Sequence, residues 1–174
     1  MTPSQQPPVG RNDRALAGLR IAVSVFFLIF GSYKVFWSGF TLGGGFQRWI
    51  NGFLSNGEAY PFMVPVLRGF VLWHGTAIAF LVAYGELAIG VSLTLGLLTS
   101  AASVCGFVYM LTLLFAANYP GPGSAPWHYF GASLSHSVFA CCFAAFALGQ
   151  PERAWSVRRR NRPRASTPSR VSDA

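Results

Sequence analysis

Charged residues are scarce in this chain. Only 10% of its 174 residues are Asp, Glu, Lys or Arg, whereas 52% are hydrophobic. Soluble domains carry about 25% charged residues, so the composition excludes an ordinary soluble domain and indicates a membrane protein. The chain contains a single lysine, Lys34, and it lies inside an apolar segment.

The net charge of +8 does not by itself indicate nucleic-acid binding, because of where the charges lie. Ten of the thirteen basic residues stand near the two ends of the chain, before or after the apolar segments. Arginines in such positions determine membrane topology and attract anionic lipid headgroups. We therefore expect the lipid bilayer as the partner, and no nucleic acid.

Cysteine is also rare, and its placement argues against redox or disulfide chemistry. Cys105, Cys141 and Cys142 all lie in apolar segments and lack C-x-x-C spacing, which favours a role as small packing residues. Phosphate-binding loops, dinucleotide fingerprints, serine triads and zinc-protease motifs are missing from the sequence.

The three histidines do not have the spacing of metal ligands. His74 and His136 differ in predicted membrane depth by about 16 Å, which is too far to share one haem iron. His128 is expected at the membrane interface. We expect neither a haem nor a metal ion.

Four apolar segments are long enough to cross the ~30 Å hydrocarbon core of a membrane. They comprise residues 19–37, 69–98, 100–117 and 129–148. An even number of spans with arginine-rich ends places both termini in the cytoplasm. The predicted fold is all-α: an integral-membrane four-helix bundle over residues 16–150, with disordered tails over residues 1–15 and 151–174.

Two connections have recognisable patterns. The second and third spans are separated only by the region around Thr99, which predicts a tight antiparallel hairpin. In the first outer loop, apolar residues recur at helical spacing from Phe46 to Leu54. This pattern predicts a short amphipathic helix at the membrane surface.

Polar residues of four different spans fall at similar depths. Counting 1.5 Å per residue from the cytoplasmic edge, Lys34 lies at roughly 25 Å, Glu86 at 18 Å, His136 at 20 Å and Asn118 at 27 Å. A charge in hydrocarbon costs at least ~2.5–3.5 kcal/mol, so it normally has a partner or a function. We predict an ion pair between Lys34 and Glu86, with His136 and Asn118 nearby.

This polar layer has two interpretations, which are not exclusive. It can be structural, with the polar side chains bonding to one another and holding the helices together. It can also line a cavity that binds a polar headgroup or relays protons. In the second interpretation the candidate catalytic residues are Lys34, Glu86 and His136, and Lys34, Glu86 and Asn118 contact a cofactor. A quinone suits such a layer because it is apolar and exchanges protons on reduction.

The motifs around these residues resemble the DoxX/DoxD-like family of small bacterial membrane proteins. The resemblance rests on Arg20, on the sequence Gly31-Ser32-Tyr33-Lys34 and on the run GELAIGVSLTLGLLT at residues 85–99. Ser100 departs from the pattern, since many members have an arginine there. The resemblance extends over about residues 20–155 and closes on Arg153-Ala154-Trp155-Ser156.

The resemblance implies a multi-pass protein of the bacterial plasma membrane. The family takes its name from a subunit of thiosulfate:quinone oxidoreductase. It therefore implies a membrane subunit or accessory protein of a quinone-linked oxidoreductase that acts on reduced sulfur compounds such as thiosulfate. Lys34 and Glu86 would contact the quinone or move its protons, and a partner oxidoreductase subunit or the substrate itself would supply electrons.

Two alternatives from other functional classes remain open. One is a non-enzymatic small-solute or proton-coupled carrier, for which four helices are few unless the chain forms a homo-oligomer. The other is an assembly factor for a second membrane complex.

Overall fold

The computed structural model describes residues 10–36, 39–131, 134–149 and 154–157. All regular secondary structure in these ranges is helical, which confirms the predicted all-α class. The helices are α1 (Arg11–Phe36), α2 (Gly45–Ser55), α3 (Val64–Val66), α4 (Gly75–Leu95), α5 (Thr99–Ala117), α6 (His128–Gly131) and α7 (Leu134–Gly149). A π-helical turn, Leu67–Val71, follows α3 directly.

Three of these helices are long and apolar enough to cross a membrane: α1, α4 and α5. Helix α7 is also apolar but has 16 residues, which cover roughly 24 Å at the α-helical rise. The described residues thus include three helices of spanning length and a fourth, shorter apolar helix.

The predicted second span, residues 69–98, is divided in the structure. Its first residues belong to the π-helical turn and to a turn before Gly75, where α4 begins. Apolar residues stand on both sides of this break, so the hydrophobic pattern alone does not locate it. The predicted tight hairpin is confirmed: α4 ends at Leu95, and Gly96 (φ 68°) and Leu98 (φ 50°) turn the chain into α5 through left-handed conformations.

The helices pack in two main pairs, α1 against α4 and α5 against α7, while α1 and α7 pack less extensively. Glycines allow α1 and α4 to approach closely, as small residues do between membrane helices. A Cβ atom at Gly31 would lie 2.9 Å from the backbone nitrogen of Leu87. A hydrogen bond of 2.9 Å from Thr94 to the buried hydroxyl of Ser24 also joins the two helices.

Helix α2 confirms the amphipathic helix predicted in the first loop, but its apolar face packs on protein. Phe46 and Ile50 are buried in one cluster with Leu67, Ala79 and Ala83. An apolar stripe can face either lipid or protein, so its periodicity alone could not identify the partner. Helix α2 therefore covers one end of the α1–α4 pair.

The two predicted tails are only partly described. Residues 11–15, assigned above to the N-terminal tail, form the start of α1, where the Asp13 carboxylate accepts a hydrogen bond from the Gly10 amide. Residues 154–157 of the C-terminal tail are described, and the side chains of Trp155 and Val157 are exposed. The buried Arg20 guanidinium donates to the Trp155 carbonyl at 2.9 Å, and Ala154 is buried. Residues 1–9, 151–153 and 158–174 lie outside the described residues.

Candidate functional site

The predicted ion pair between Lys34 and Glu86 is confirmed. The Lys34 ammonium nitrogen lies 2.5 Å from Glu86 Oε1, and the two side chains are only 16% and 6% exposed. Lys34 is in the last turn of α1, and Glu86 is in the middle of α4. The close packing of α1 on α4 at Gly31, one turn before Lys34, brings the two groups together.

Tyr109 of α5 joins this pair, and sequence reasoning missed it. Its hydroxyl donates a hydrogen bond to Glu86 Oε1 and lies 3.4 Å from the Lys34 nitrogen. One carboxylate oxygen thus receives two donors from two neighbouring helices. The other oxygen, Glu86 Oε2, is buried and has no hydrogen-bond partner among the described residues.

Aromatic rings cover the ammonium group on the side of α2. The Lys34 nitrogen lies 5.4 Å from the ring centre of Phe40 and 5.5 Å from that of Trp49. A cation within about 6 Å of a ring face is attracted by the ring quadrupole. The loop before α2 and α2 itself therefore help to hold Lys34 beside Glu86.

The pair forms part of the wall of a cavity of about 670 Å³. Most of the wall is apolar, and the polar side chains that join it are few. Its lining residues come from α1, the loop before α2, α2, α4, α5 and α7: Phe26, Phe27, Phe30, Tyr33, Lys34, Phe40, Gly45, Arg48, Trp49, Glu86, Met110, Leu113, His136 and Phe139. Small-molecule sites in proteins usually have this character, with a few convergent polar groups in an apolar cavity of ~300–1,000 Å³.

His136 and Asn118, the other two predicted site residues, contact each other. His136 Nδ1 lies 2.5 Å from Asn118 Oδ1. His136 also lines the cavity, whereas Asn118 is not among the lining residues. The structure thus brings Lys34, Glu86 and His136 to one cavity, and Asn118 holds the His136 ring from behind.

The sequence matches a known protein family. The DoxX family model matches residues 15–119. The protein belongs to the DoxX family. The match includes Lys34, Glu86 and Tyr109 and ends before His136. The chain matches no curated protein and no solved structure at a significant level.

A depth count places Tyr109 near the level of Glu86 but does not show which way its side chain faces. It lies ten residues after Thr99, or roughly 15 Å along α5, close to the ~18 Å depth estimated for Glu86. The α2 contributions had no comparable signal, because Phe40 and Trp49 reach Lys34 only through the tertiary packing of the loop.

Proposed function

We propose that this DoxX-family protein is a membrane subunit or accessory protein of a quinone-linked oxidoreductase in the bacterial plasma membrane. The observation that carries the proposal is the buried Lys34–Glu86 pair in the wall of an apolar cavity of about 670 Å³. A quinone supplies an apolar ring that takes up two electrons and two protons on reduction.

The residues of the cavity suit such a ring. Phe30 and Trp49 offer aromatic surfaces, against which a flat ring can stack. The Lys34 ammonium group is a hydrogen-bond donor suited to a carbonyl oxygen. Glu86 Oε2 is buried without a hydrogen-bond partner among the described residues. A rotation of the carboxylate toward the cavity would make it an acceptor for a hydroxyl group.

The same residues can also hold and move a proton. Glu86 Oε1 receives hydrogen bonds from Lys34 and Tyr109. When Glu86 accepts a proton, the charge of Lys34 loses its balancing partner, so carboxylate and ammonium are coupled. His136 lines the same cavity and provides a second titratable group.

The proposal includes a topology of four spans. Helix α7 supplies His136 and Phe139 to the cavity, so it lies beside α1 and α5 within the membrane. Both termini are cytoplasmic because the arginines concentrate at the two ends of the chain. Electrons come from a partner subunit that oxidises a reduced sulfur compound such as thiosulfate.

The test is the quinone content of the purified protein. Protein purified from membranes in mild detergent is extracted with solvent, and quinone per protein is measured by absorbance. Lys34→Met removes the hydrogen-bond donor proposed for the ring, and Glu86→Gln removes the negative charge that pairs with Lys34. We therefore expect both to lower this ratio about tenfold, equivalent to ~1.4 kcal/mol of binding.

Matched controls use charges outside the cavity lining. Arg68→Met and Glu58→Gln remove a cation and an acid that do not line the cavity, so their quinone content should equal that of the wild type. If Lys34→Met and Glu86→Gln retain full quinone content and membranes containing them still reduce quinone with thiosulfate, the pair is only structural and the proposal is wrong.

A further inference from the structure

Three aromatic side chains of α1 both line the cavity and lie on the outer surface of the bundle. Phe26, Phe30 and Tyr33 are 48%, 53% and 58% exposed. Their spacing of four and three residues places them in one stripe along the helix. Since α1 is long and apolar enough to span a membrane, this stripe faces lipid.

Helix α7 lies next to this stripe of aromatic residues. Phe139 of α7 lines the cavity, and its ring centre lies 5.8 Å from that of Phe26. Here α1 and α7 meet through aromatic edges, whereas each packs mainly on another helix, α1 on α4 and α7 on α5. The cavity therefore reaches the lipid-facing surface at the seam between α1 and α7.

Other sides of the cavity are covered more completely. Phe27 and Met110 are each 5% exposed, and Phe143, which packs against Phe27 at 5.1 Å between ring centres, is fully buried. On the side of α2, the rings of Phe40 and Trp49 cover Lys34, and the exposed lining residue there, Arg48, is charged and does not suit an apolar chain. An apolar chain attached to a ligand in the cavity can thus leave with least displacement through the seam.

We propose that the seam between α1 and α7 is a lateral portal for the isoprenoid tail of a membrane quinone. This inference rests on the proposed function: the ring lies beside Lys34 and Glu86, and the tail passes between Phe26, Phe30 and Phe139 into the bilayer. A cavity of this volume holds a ligand of drug size, so a long tail must leave it. Exposing the tail to water would cost free energy for each methylene group, whereas placing it in lipid would not. The portal therefore selects quinones that carry a tail and are dissolved in the membrane.

The experiment closes the portal and compares two ligands that share one ring. Cys105, Cys141 and Cys142 are replaced by alanine, and Phe26→Cys and Phe139→Cys are introduced together. A short bis-maleimide then joins α1 to α7. Binding of an isoprenoid-tailed benzoquinone and of the same ring without a tail is measured by equilibrium dialysis in detergent. We expect cross-linking to weaken binding of the tailed quinone about tenfold or more and to leave the tailless ring unchanged.

The controls separate the portal from the cross-link itself. The same double-cysteine protein treated with a monofunctional maleimide keeps both helices free to part. A matched cross-link joins Phe80→Cys to Tyr84→Cys, whose rings lie 5.9 Å apart on α4, away from the seam. Neither treatment should change the ratio of the two affinities.

The outcomes are distinct. If cross-linking the seam leaves both affinities unchanged, or weakens both equally, the tail does not pass between α1 and α7 and the inference is wrong. If neither ligand binds the untreated protein, the proposed quinone function itself fails. Should the double-cysteine protein not accumulate, Phe26→Ala replaces it, because Phe26 lines the seam and is not one of the rings on which the quinone stacks. It should weaken binding of the tailed quinone alone, whereas Leu81→Ala, exposed on α4, should weaken neither. If Phe26→Ala binds the tailed quinone as tightly as Leu81→Ala does, the portal is overturned.

Discussion

Replacing Gly31 with alanine tests how the helix packing supports the site. Gly31 is buried on α1, one turn before Lys34, where α1 contacts α4. A Cβ atom at this position would lie 2.9 Å from the backbone nitrogen of Leu87, 3.0 Å from Leu87 Cγ and 3.2 Å from Glu86 Cβ. The nearest atom belongs to the backbone of a helix, so it cannot rotate away, and the two helices have to separate.

The size of the effect follows from these distances. Carbon atoms are in optimal contact at about 3.5–4.0 Å, so α1 and α4 must part by roughly 0.5–1 Å. Overpacking of this kind usually costs about 1–3 kcal/mol. The added methyl group also favours the helix by up to ~1 kcal/mol, so any measured loss of stability underestimates the steric strain.

Gly85→Ala is the matched control, because it adds the same methyl group to α4 where no atom lies within 4 Å. We expect Gly31→Ala to have a free energy of unfolding about 1–3 kcal/mol below that of Gly85→Ala, measured by denaturant titration in micelles with circular dichroism. The quinone content of Gly31→Ala should also fall, because the same shift moves Lys34 relative to Glu86. Equal stability of the two variants would refute the close-packing argument, and lower stability with unchanged quinone content would refute its link to the site.

Two further variants probe neighbouring contacts. Tyr109→Phe removes one of the two donors to Glu86 Oε1. It should lower the free energy of unfolding by about 1.5–3 kcal/mol and should also lower the quinone content. The control is Thr112→Ala, which removes an exposed hydroxyl of the same helix and should change neither quantity. Gly106→Ala places a methyl group against the fully buried ring of Phe143 and should lower the free energy of unfolding by about 1–3 kcal/mol. Adding Phe143→Leu should recover part of that loss. If the double variant instead loses as much stability as the two single variants together, the steric explanation is contradicted.

The ion pair could be predicted from the sequence, and its third member could not. Lys34 and Glu86 stand out because a charge in an apolar helix requires a partner, and the helical rise gives their depths. Tyr109 does not stand out, because an aromatic ring is ordinary in an apolar helix. Helix α5 is apolar on all sides, so no periodicity indicates which of its faces turns toward α4.

The sequence does not show which residues α2 and residues 154–157 contact, for a related reason. The spacing of Phe46 and Ile50 identifies a helix with an apolar face, but lipid and protein offer that face similar surroundings. Arg20 finds its acceptor in the Trp155 carbonyl, and every residue of the chain carries such a group. Local pattern therefore predicted the elements, whereas their partners depended on the tertiary arrangement.

The geometry of Glu86 bears on whether the polar layer is more than structural glue. Both donors, Lys34 and Tyr109, converge on Oε1, while Oε2 is buried without a hydrogen-bond partner among the described residues. A buried acceptor left unsatisfied costs about 1–3 kcal/mol. A purely structural contact between the helices would be stronger if the two donors were shared between both carboxylate oxygens. The arrangement instead leaves one buried acceptor unsatisfied in a residue that lines the cavity, so structural hydrogen bonding alone does not account for it.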